Sequence, residues 1–400
     1  MSALFEKTTI KGLELKNRLI RSATHEGMSD EKGFPTPSLF NLYGKLAKGG
    51  VGLIITGSAF VSRDGKSPFL GMQGIDSDEH ILKYRELVEY VHQKGAKIAM
   101  QIVHCGRQTT REAIGCQPIA PSRVREKCLF STPKKMTEED IERIIEAFAR
   151  ASWRVKESGF DAVQIHGAHG YLINQFLSPY TNRRKDRWGG SIKNRMRFVR
   201  EIYNRCRRQV GYNYPIFIKI NGYDNIKAGL KINESVVMAE MMDKMGFDAI
   251  EVSCGIMESG LTMARGEIPF DVYLNEWKIY KNNPPLFKFI VKHLGKKFVK
   301  SPPLVHAYNQ ESARAIKNMV KAPVFLTGGI FDPIKMKRII TNKEADYISL
   351  SRALIAGPEF PEKIRKGNYE LSRCIHCNLC IGYSFSKPLH CYRGKRYVNF

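Results

Sequence analysis

Apolar residues in this chain gather in short dense runs separated by longer stretches of mixed character. The runs fall at 19–23, 52–56, 97–102, 162–165, 216–220, 249–252, 324–327 and 347–350. Each is too short for a buried helix and nearly continuous in hydrophobicity, as expected of parallel strands covered on both faces. Between them the spacing turns helical. Thr137 with Asp140 three residues on has the form of a capping box, and Ile141, Ile144, Ile145, Phe148 and Val155 follow on one helical face. A second helix is predicted over about 235–245. Residues 158–165 and 245–252 echo one another: a helix-ending glycine, a short loop, then a strand. A looser third copy lies at 49–55. Eight strand–helix units predict a (β/α)8 TIM barrel, whose site gathers at the C-terminal strand ends. A doubly wound open sheet is the alternative, but no Gly-x-Gly-x-x-Gly dinucleotide fingerprint occurs.

One strand end stands out. The run 162–165 leads directly into His166-Gly-Ala-His169-Gly-Tyr171. Two imidazoles and a phenol sit where α/β proteins bind ligands, and the glycines allow a sharp turn close to a flat ligand. A zinc site on His-x-x-His would need a third ligand, and no candidate stands nearby in sequence.

Composition adds limits. The 400 residues are 43% hydrophobic, enough for a large core, and no apolar run is long enough to span a membrane. The N-terminus lacks a basic region followed by an apolar core, so a cytoplasmic location is expected. The net charge of +25 comes from 64 basic and 39 acidic residues that are scattered along the chain, and no nucleic-acid-binding motif occurs. Lys387, Arg393, Lys395 and Arg396 form a basic tail suited to an acidic partner.

Four of the nine cysteines crowd near the end as Cys374-x2-Cys377-x2-Cys380-x10-Cys391. Three cysteines in one tight loop plus a fourth favour a [4Fe–4S] cluster, since zinc usually takes two separated C-x2-C pairs. His376 and His390 flank these cysteines and read as surface or supporting groups rather than ligands. The predicted organisation is a barrel over residues 1–366 and a cysteine segment over 367–400. Residues 255–303 form a long aromatic-rich insertion after the sixth strand, expected to roof the site.

The motifs at 166–172, 175–179, 181–183, 189–191 and 194–195 resemble the Old Yellow Enzyme family of FMN-dependent oxidoreductases. Asn17–Thr24, Gln101 with Gly106-Arg107, Lys219, Gly328-Gly329 and Ser351-Arg352 extend the resemblance over about residues 4–366. It implies the barrel fold and a set of roles. Ala23 and Thr24 would lie at the flavin, and Gln101 would bond its pyrimidine edge. Lys219 would place a cation by N1 and O2, where reduced flavin carries negative charge. Gly328, Gly329 and Arg352 would hold the phosphate, with Ser351 beside them where many relatives have glycine. His166 and His169 would clamp a carbonyl oxygen, and Tyr171 would donate a proton.

The cysteine pattern matches the branch that includes trimethylamine dehydrogenase and bacterial 2,4-dienoyl-CoA reductase, in which the cluster exchanges electrons with FMN. Those relatives continue into nucleotide-binding domains, whereas this sequence ends at Phe400. Electrons are therefore expected from NAD(P)H or from a separate ferredoxin or flavoprotein, with self-association common in the family. The expected reaction is reduction of an activated C=C bond. The alternatives are oxidation of a small substrate with electrons leaving through the cluster, and a non-enzymatic electron-transfer subunit.

Overall fold

The computed structural model describes residues 1–298 and 302–394. Lys395 and Arg396 of the basic tail, residues 299–301 of the insertion and the last residues of the cysteine segment lie outside the described residues. The apolar runs form strands β1 (Leu19–Arg21), β2 (Leu53–Ile55), β3 (Lys97–Val103), β4 (Ala162–Gly167), β5 (Ile216–Asn221), β6 (Ala249–Ser253), β7 (Val324–Thr327) and β8 (Tyr347–Leu350). Each pairs in parallel with the next, and β8 pairs with β1. The ring is closed, so the open-sheet alternative falls.

Helices alternate with the strands: α1 (Pro37–Lys48), α2 (His80–His92), α3 (Glu138–Glu157), α4 (Arg197–Val210), α5 (Ile232–Met245), α6 (Gln310–Lys317), α7 (Pro333–Thr341) and the short α8 (Arg352–Ala356). The Thr137 cap forms as its sequence implies. Thr137 Oγ1 accepts from the Asp140 N–H at 3.1 Å, and the Asp140 carboxylate accepts from the Thr137 N–H at 3.1 Å. Helix α5 begins nearly a turn before the predicted 235.

The barrel interior is layered because side chains alternate along each strand. Ile20, Leu53, Ala99, Ala162, Phe217, Ala249, Phe325 and Tyr347, one from each strand, make a single buried apolar cluster. An N-terminal hairpin (Thr8–Ile10 with Leu13–Leu15) adds Ile10, Leu13 and Leu15 to it and plugs that end. Two residues further along seven of the eight strands, the inward positions turn polar: Ser22, Gln101, Gln164, Lys219, Glu251, Thr327 and Ser349, all buried, while β2 has Ile55 there. The apolar layer supplies packing, and the polar layer is the floor of what lies above.

Loops at the C-terminal strand ends are fixed by specific bonds. The chain after β2 adds Ala59–Phe60 beside the upper part of β3. After β6 it runs through helices Phe270–Glu276, Lys278–Lys281 and Pro285–Phe298. Arg107, after β3, and Glu258, after β6, form an ion pair with both side chains buried. The cysteine segment packs on the same end. Trp277 Nε1 donates to the Gly382 carbonyl at 3.0 Å, and the Leu389 N–H donates to the Glu26 carbonyl at 2.7 Å.

The turn after β1 hangs on one buried ion pair. Arg21 Nη2 meets Glu26 Oε1 at 2.7 Å and also donates to the Thr24 carbonyl at 3.2 Å. Glu26 Oε1 accepts from Tyr43 Oη and the Gly57 N–H, both at 2.8 Å. Glu26→Ala strands the Arg21 guanidinium without its counter-charge and is expected to cost about 3–5 kcal/mol, read by urea denaturation. A loss below about 1 kcal/mol would show that the pair does not hold this turn.

Candidate active site

A hydrogen-bonded belt crosses the polar layer. Ser58 Oγ donates to Gln101 Oε1 at 2.5 Å, Gln101 Nε2 to Gln164 Oε1 at 2.7 Å, and Gln164 Nε2 to Glu251 Oε2 at 2.9 Å. From the other side, Ser22 Oγ donates to Glu251 Oε1 at 2.6 Å and Lys219 Nζ donates to Ser22 Oγ at 2.9 Å. Lys219 Nζ lies 3.5 Å from Glu251 Oε1. A buried lysine is costly unless a carboxylate and hydrogen bonds compensate it, and Glu251 is that carboxylate. Burial pushes the Lys219 pKa down, while Glu251 pulls it back toward the charged form. The charge at the cavity floor is thus held in place before any ligand arrives.

The residues at 166–171 rise at the edge of this floor. His166 Nδ1 accepts from the Ala168 N–H at 3.2 Å, so the ring proton belongs on Nε2. His169 adopts φ +60°, and its backbone N–H donates to Asn221 Oδ1 at 3.2 Å. Its Nε2 lies 2.7 Å from Ser253 Oγ. The His166 ring meets His169 and Tyr171 edge-on, at centroid distances of 5.1 and 4.9 Å. Burial holds both imidazoles well below their ordinary pKa, reinforced at His166 by His169 and Lys219 and at His169 by Lys219. Burial, with Cys105 beside it, pushes the Tyr171 phenol up. At neutral pH the trio is two neutral imidazoles and a protonated phenol. All three are groups that can donate a hydrogen bond without bringing charge into the cavity.

One cavity is lined by every flavin-side and substrate-side residue anticipated from the sequence: Ala23, Thr24, Gln101, His166, His169, Tyr171, Lys219, Gly328, Gly329, Ser351 and Arg352. Thr24 Oγ1 and Ser351 Oγ are 2.8 Å apart. Gly328 and Gly329 have φ of +118° and +66°, and a Cβ on either would come within 2.7 Å of the Tyr308 ring. Only glycine fits both the backbone and that ring. Ser349 Oγ is buried at the cavity without a protein partner among the described residues. The cavity therefore joins a buried cation, a tight glycine cradle and an arginine at one end, and an orphaned hydroxyl. These features suit an elongated ligand that is polar along one edge and anionic at one end.

Several groups at or beneath the cavity were not anticipated. Glu251, Ser22 and Gln164 share the inward register of Lys219, and that register was the available signal. Phe69 and Phe385 line the cavity with ring centroids 3.8 Å apart, and Trp277, from the insertion expected to roof the site, meets Phe385 edge-on at 4.7 Å. Of the two expectations for His376, the surface one falls: it is buried, lines the cavity and meets the Phe331 ring at 4.7 Å. Cys374, Cys377, Cys380 and Cys391 carry free thiols and line a second, small cavity beside Arg352. Among the described residues, no three His, Cys, Asp or Glu side chains close on a single ion. No helix among them is long and apolar enough to cross a membrane.

Comparison with known proteins agrees with this geometry. The chain is 36% identical over 383 residues to an NADH oxidase from Thermoanaerobacter brockii, covering 95% of this chain and 53% of that protein. It therefore spans about half the length of that relative. An NADPH dehydrogenase from Halalkalibacterium halodurans is 34% identical over 362 residues, covering 90% of this chain and 93% of that one. A solved 2-naphthoyl-CoA reductase superposes with a TM-score of 0.82 at 24% identity, covering 98% of this chain and 56% of that chain, a likeness of fold. The profile of the NADH:flavin oxidoreductase / NADH oxidase family matches residues 3–282 and 278–370. With that match across a barrel whose cavity is built as described, the chain belongs to the NADH:flavin oxidoreductase / NADH oxidase family, the Old Yellow Enzyme group.

Proposed function

We propose that the protein is an FMN-dependent oxidoreductase that uses NADH or NADPH to reduce the activated C=C bond of a small α,β-unsaturated carbonyl compound. The observation that carries this reading is the convergence of two neutral imidazoles and a protonated phenol beside a buried, carboxylate-held lysine. FMN bound in this cavity would supply hydride chemistry. Lys219 and Gln101 would meet its pyrimidine edge, Ala23 and Thr24 its ring, and Gly328, Gly329, Ser351 and Arg352 its phosphate end. The pre-paired lysine is suited to stabilising negative charge on a reduced ligand without reorganisation.

The substrate's carbonyl oxygen would sit between the N–H groups of His166 and His169. Two neutral donors polarise the carbonyl and withdraw electron density from the conjugated C=C bond. Tyr171 then gives its proton to the α-carbon as enolate character develops. Its raised pKa keeps that proton available at neutral pH and makes it a weak acid, matched to a strongly basic carbon. Phe69, Phe385 and Trp277, from three different segments, would exclude water from above. The insertion over 255–303 acts in this reading as part of the lid. Amine oxidation fits less well, because two neutral imidazoles that can donate hydrogen bonds suit a carbonyl oxygen better than an amine.

The four cysteine thiols that line one small cavity would supply the donor set of a [4Fe–4S] cluster. That site would give electrons a second route in or out, and the chain's positive charge favours an acidic redox partner for it. Anaerobically purified protein should therefore hold flavin, iron and acid-labile sulfide. Folded protein without flavin would overturn the central reading.

Tyr171→Phe should slow reoxidation of the reduced enzyme by an enone about 10²–10⁴-fold, while NAD(P)H bleaches the flavin at close to the normal rate. Equal loss of both half-reactions in stopped flow would remove the proton-donor role. The histidines also set a pH dependence. The unfolded chain protonates them near pH 6.5, whereas the folded chain holds their pKa values lower. Their contribution is complete above that pH and is lost as pH falls toward the folded values. The urea midpoint should therefore drop from pH 8 to 5.5, and less steeply in His166→Asn. A midpoint falling equally in both proteins would show that His166 does not titrate as described.

A further inference from the structure

We infer that the cysteine segment is itself a wall of the flavin cavity, with Arg352 as the shared residue, so that filling of the four-cysteine site sets how tightly FMN is held. This rests on the FMN and cluster readings above and adds a coupling between them.

Arg352, at the start of α8, lines both the main cavity and the small one ringed by Cys374, Cys377, Cys380 and Cys391. Its Nη1 donates to Asn378 Oδ1 at 2.6 Å and to the Arg265 carbonyl at 2.8 Å. Asn378 stands between Cys377 and Cys380 and is 1% exposed. It donates in turn to the Ala264 and Glu267 carbonyls at 2.7 and 2.9 Å. One amide thus ties the cysteine loop to the guanidinium and to the insertion at Ala264, which also lines the main cavity. Two residues earlier, His376 reaches the same cavity. A Cβ on Gly266 would come within 2.2 Å of the His376 carbonyl, so the insertion and the cysteine loop touch backbone to backbone. Beyond the third cysteine, Ile381, Ser384, Phe385 and Leu389 continue the wall. Leu389 closes it by its bond to Glu26, whose carboxylate pairs with the Arg21 that binds the Thr24 carbonyl.

The loop making this wall has little of its own to hold it. Its helix is only Leu379–Tyr383, and His376 and Asn378 sit at φ +60° and +57°, a conformation that L side chains rarely adopt. A group bound to all four thiols would cross-link the loop at four points, and its binding free energy would become folding free energy of the wall. Arg352 would then stand oriented toward the phosphate end. By linkage, whatever orders the wall tightens FMN, and FMN protects what the cysteines hold. Loss of iron to an oxidant would release the flavin too.

The test uses the anaerobically purified holoenzyme. FMN release on dilution is followed by recovery of free-flavin fluorescence, before and after the cluster is destroyed with ferricyanide and EDTA. Release should accelerate at least about tenfold, equivalent to about 1.4 kcal/mol. Asn378→Ala, with iron still present and circular dichroism unchanged, should release FMN faster before any treatment. Cys116→Ser, which removes an exposed thiol, should behave as wild type. Unchanged release after iron loss, or a normal rate in Asn378→Ala, would overturn the coupling. Protein that holds FMN but no iron would instead defeat the cluster reading. Asn378→Ala then decides the wall alone: faster release sustains it and a normal rate ends it.

Discussion

The site depends on one buried charge. Lys219 points into a barrel whose neighbouring inward layer is apolar, and a lysine there is tolerable only because Glu251 faces it from the next strand. Strand register produces the pairing: Lys219 on β5 is aligned with Glu251 on β6, and Gln164 on β4 with Gln101 on β3. Side chains aligned on adjacent parallel strands at inward positions must meet. Once the charge pair exists, its remaining hydrogen-bonding capacity must also be met, and Ser22, Gln164, Gln101 and Ser58 meet it in turn. The belt is the price of one cation, and it gives a rigid polar floor.

What sits above that floor is neutral chiefly because it is buried. The fixed cation adds to burial in discouraging protonation of both imidazoles, so they can donate hydrogen bonds without carrying charge. The phenol follows the rule from the other side: burial keeps it protonated. The cation on β5 thus adds to burial in keeping His166 and His169 neutral, while burial and Cys105 act on Tyr171.

The barrel was legible in the chain because its strands are covered on both faces, which leaves compact apolar runs with few rivals. The histidine run was legible because it begins within β4, at the end where the site forms. Glu251 was in plain view inside a predicted strand, but near-continuous hydrophobicity drew attention away from the inward register that pairs it with Lys219. The Arg107–Glu258 pair was hidden for a different reason, since it joins two loops far apart in sequence and no local pattern announces it. The burial of His376 was not legible, because a cysteine motif states which atoms can bind a metal and nothing about what the intervening side chains pack against. Trp277, Phe69 and Phe385 likewise come from three segments that only the folded chain brings together.

In the proposed reaction this cavity passes hydride to a polarised C=C bond. Its most direct measurement is an anaerobic double-mixing experiment that follows the flavin absorption band. Enzyme is first bleached with one equivalent of NADH or NADPH and then mixed with a simple cyclic enone. The band should return in a fast single-turnover step, with one equivalent of saturated ketone formed per flavin. A band that stays bleached in the presence of enone, yet returns on mixing with oxygen, would contradict it.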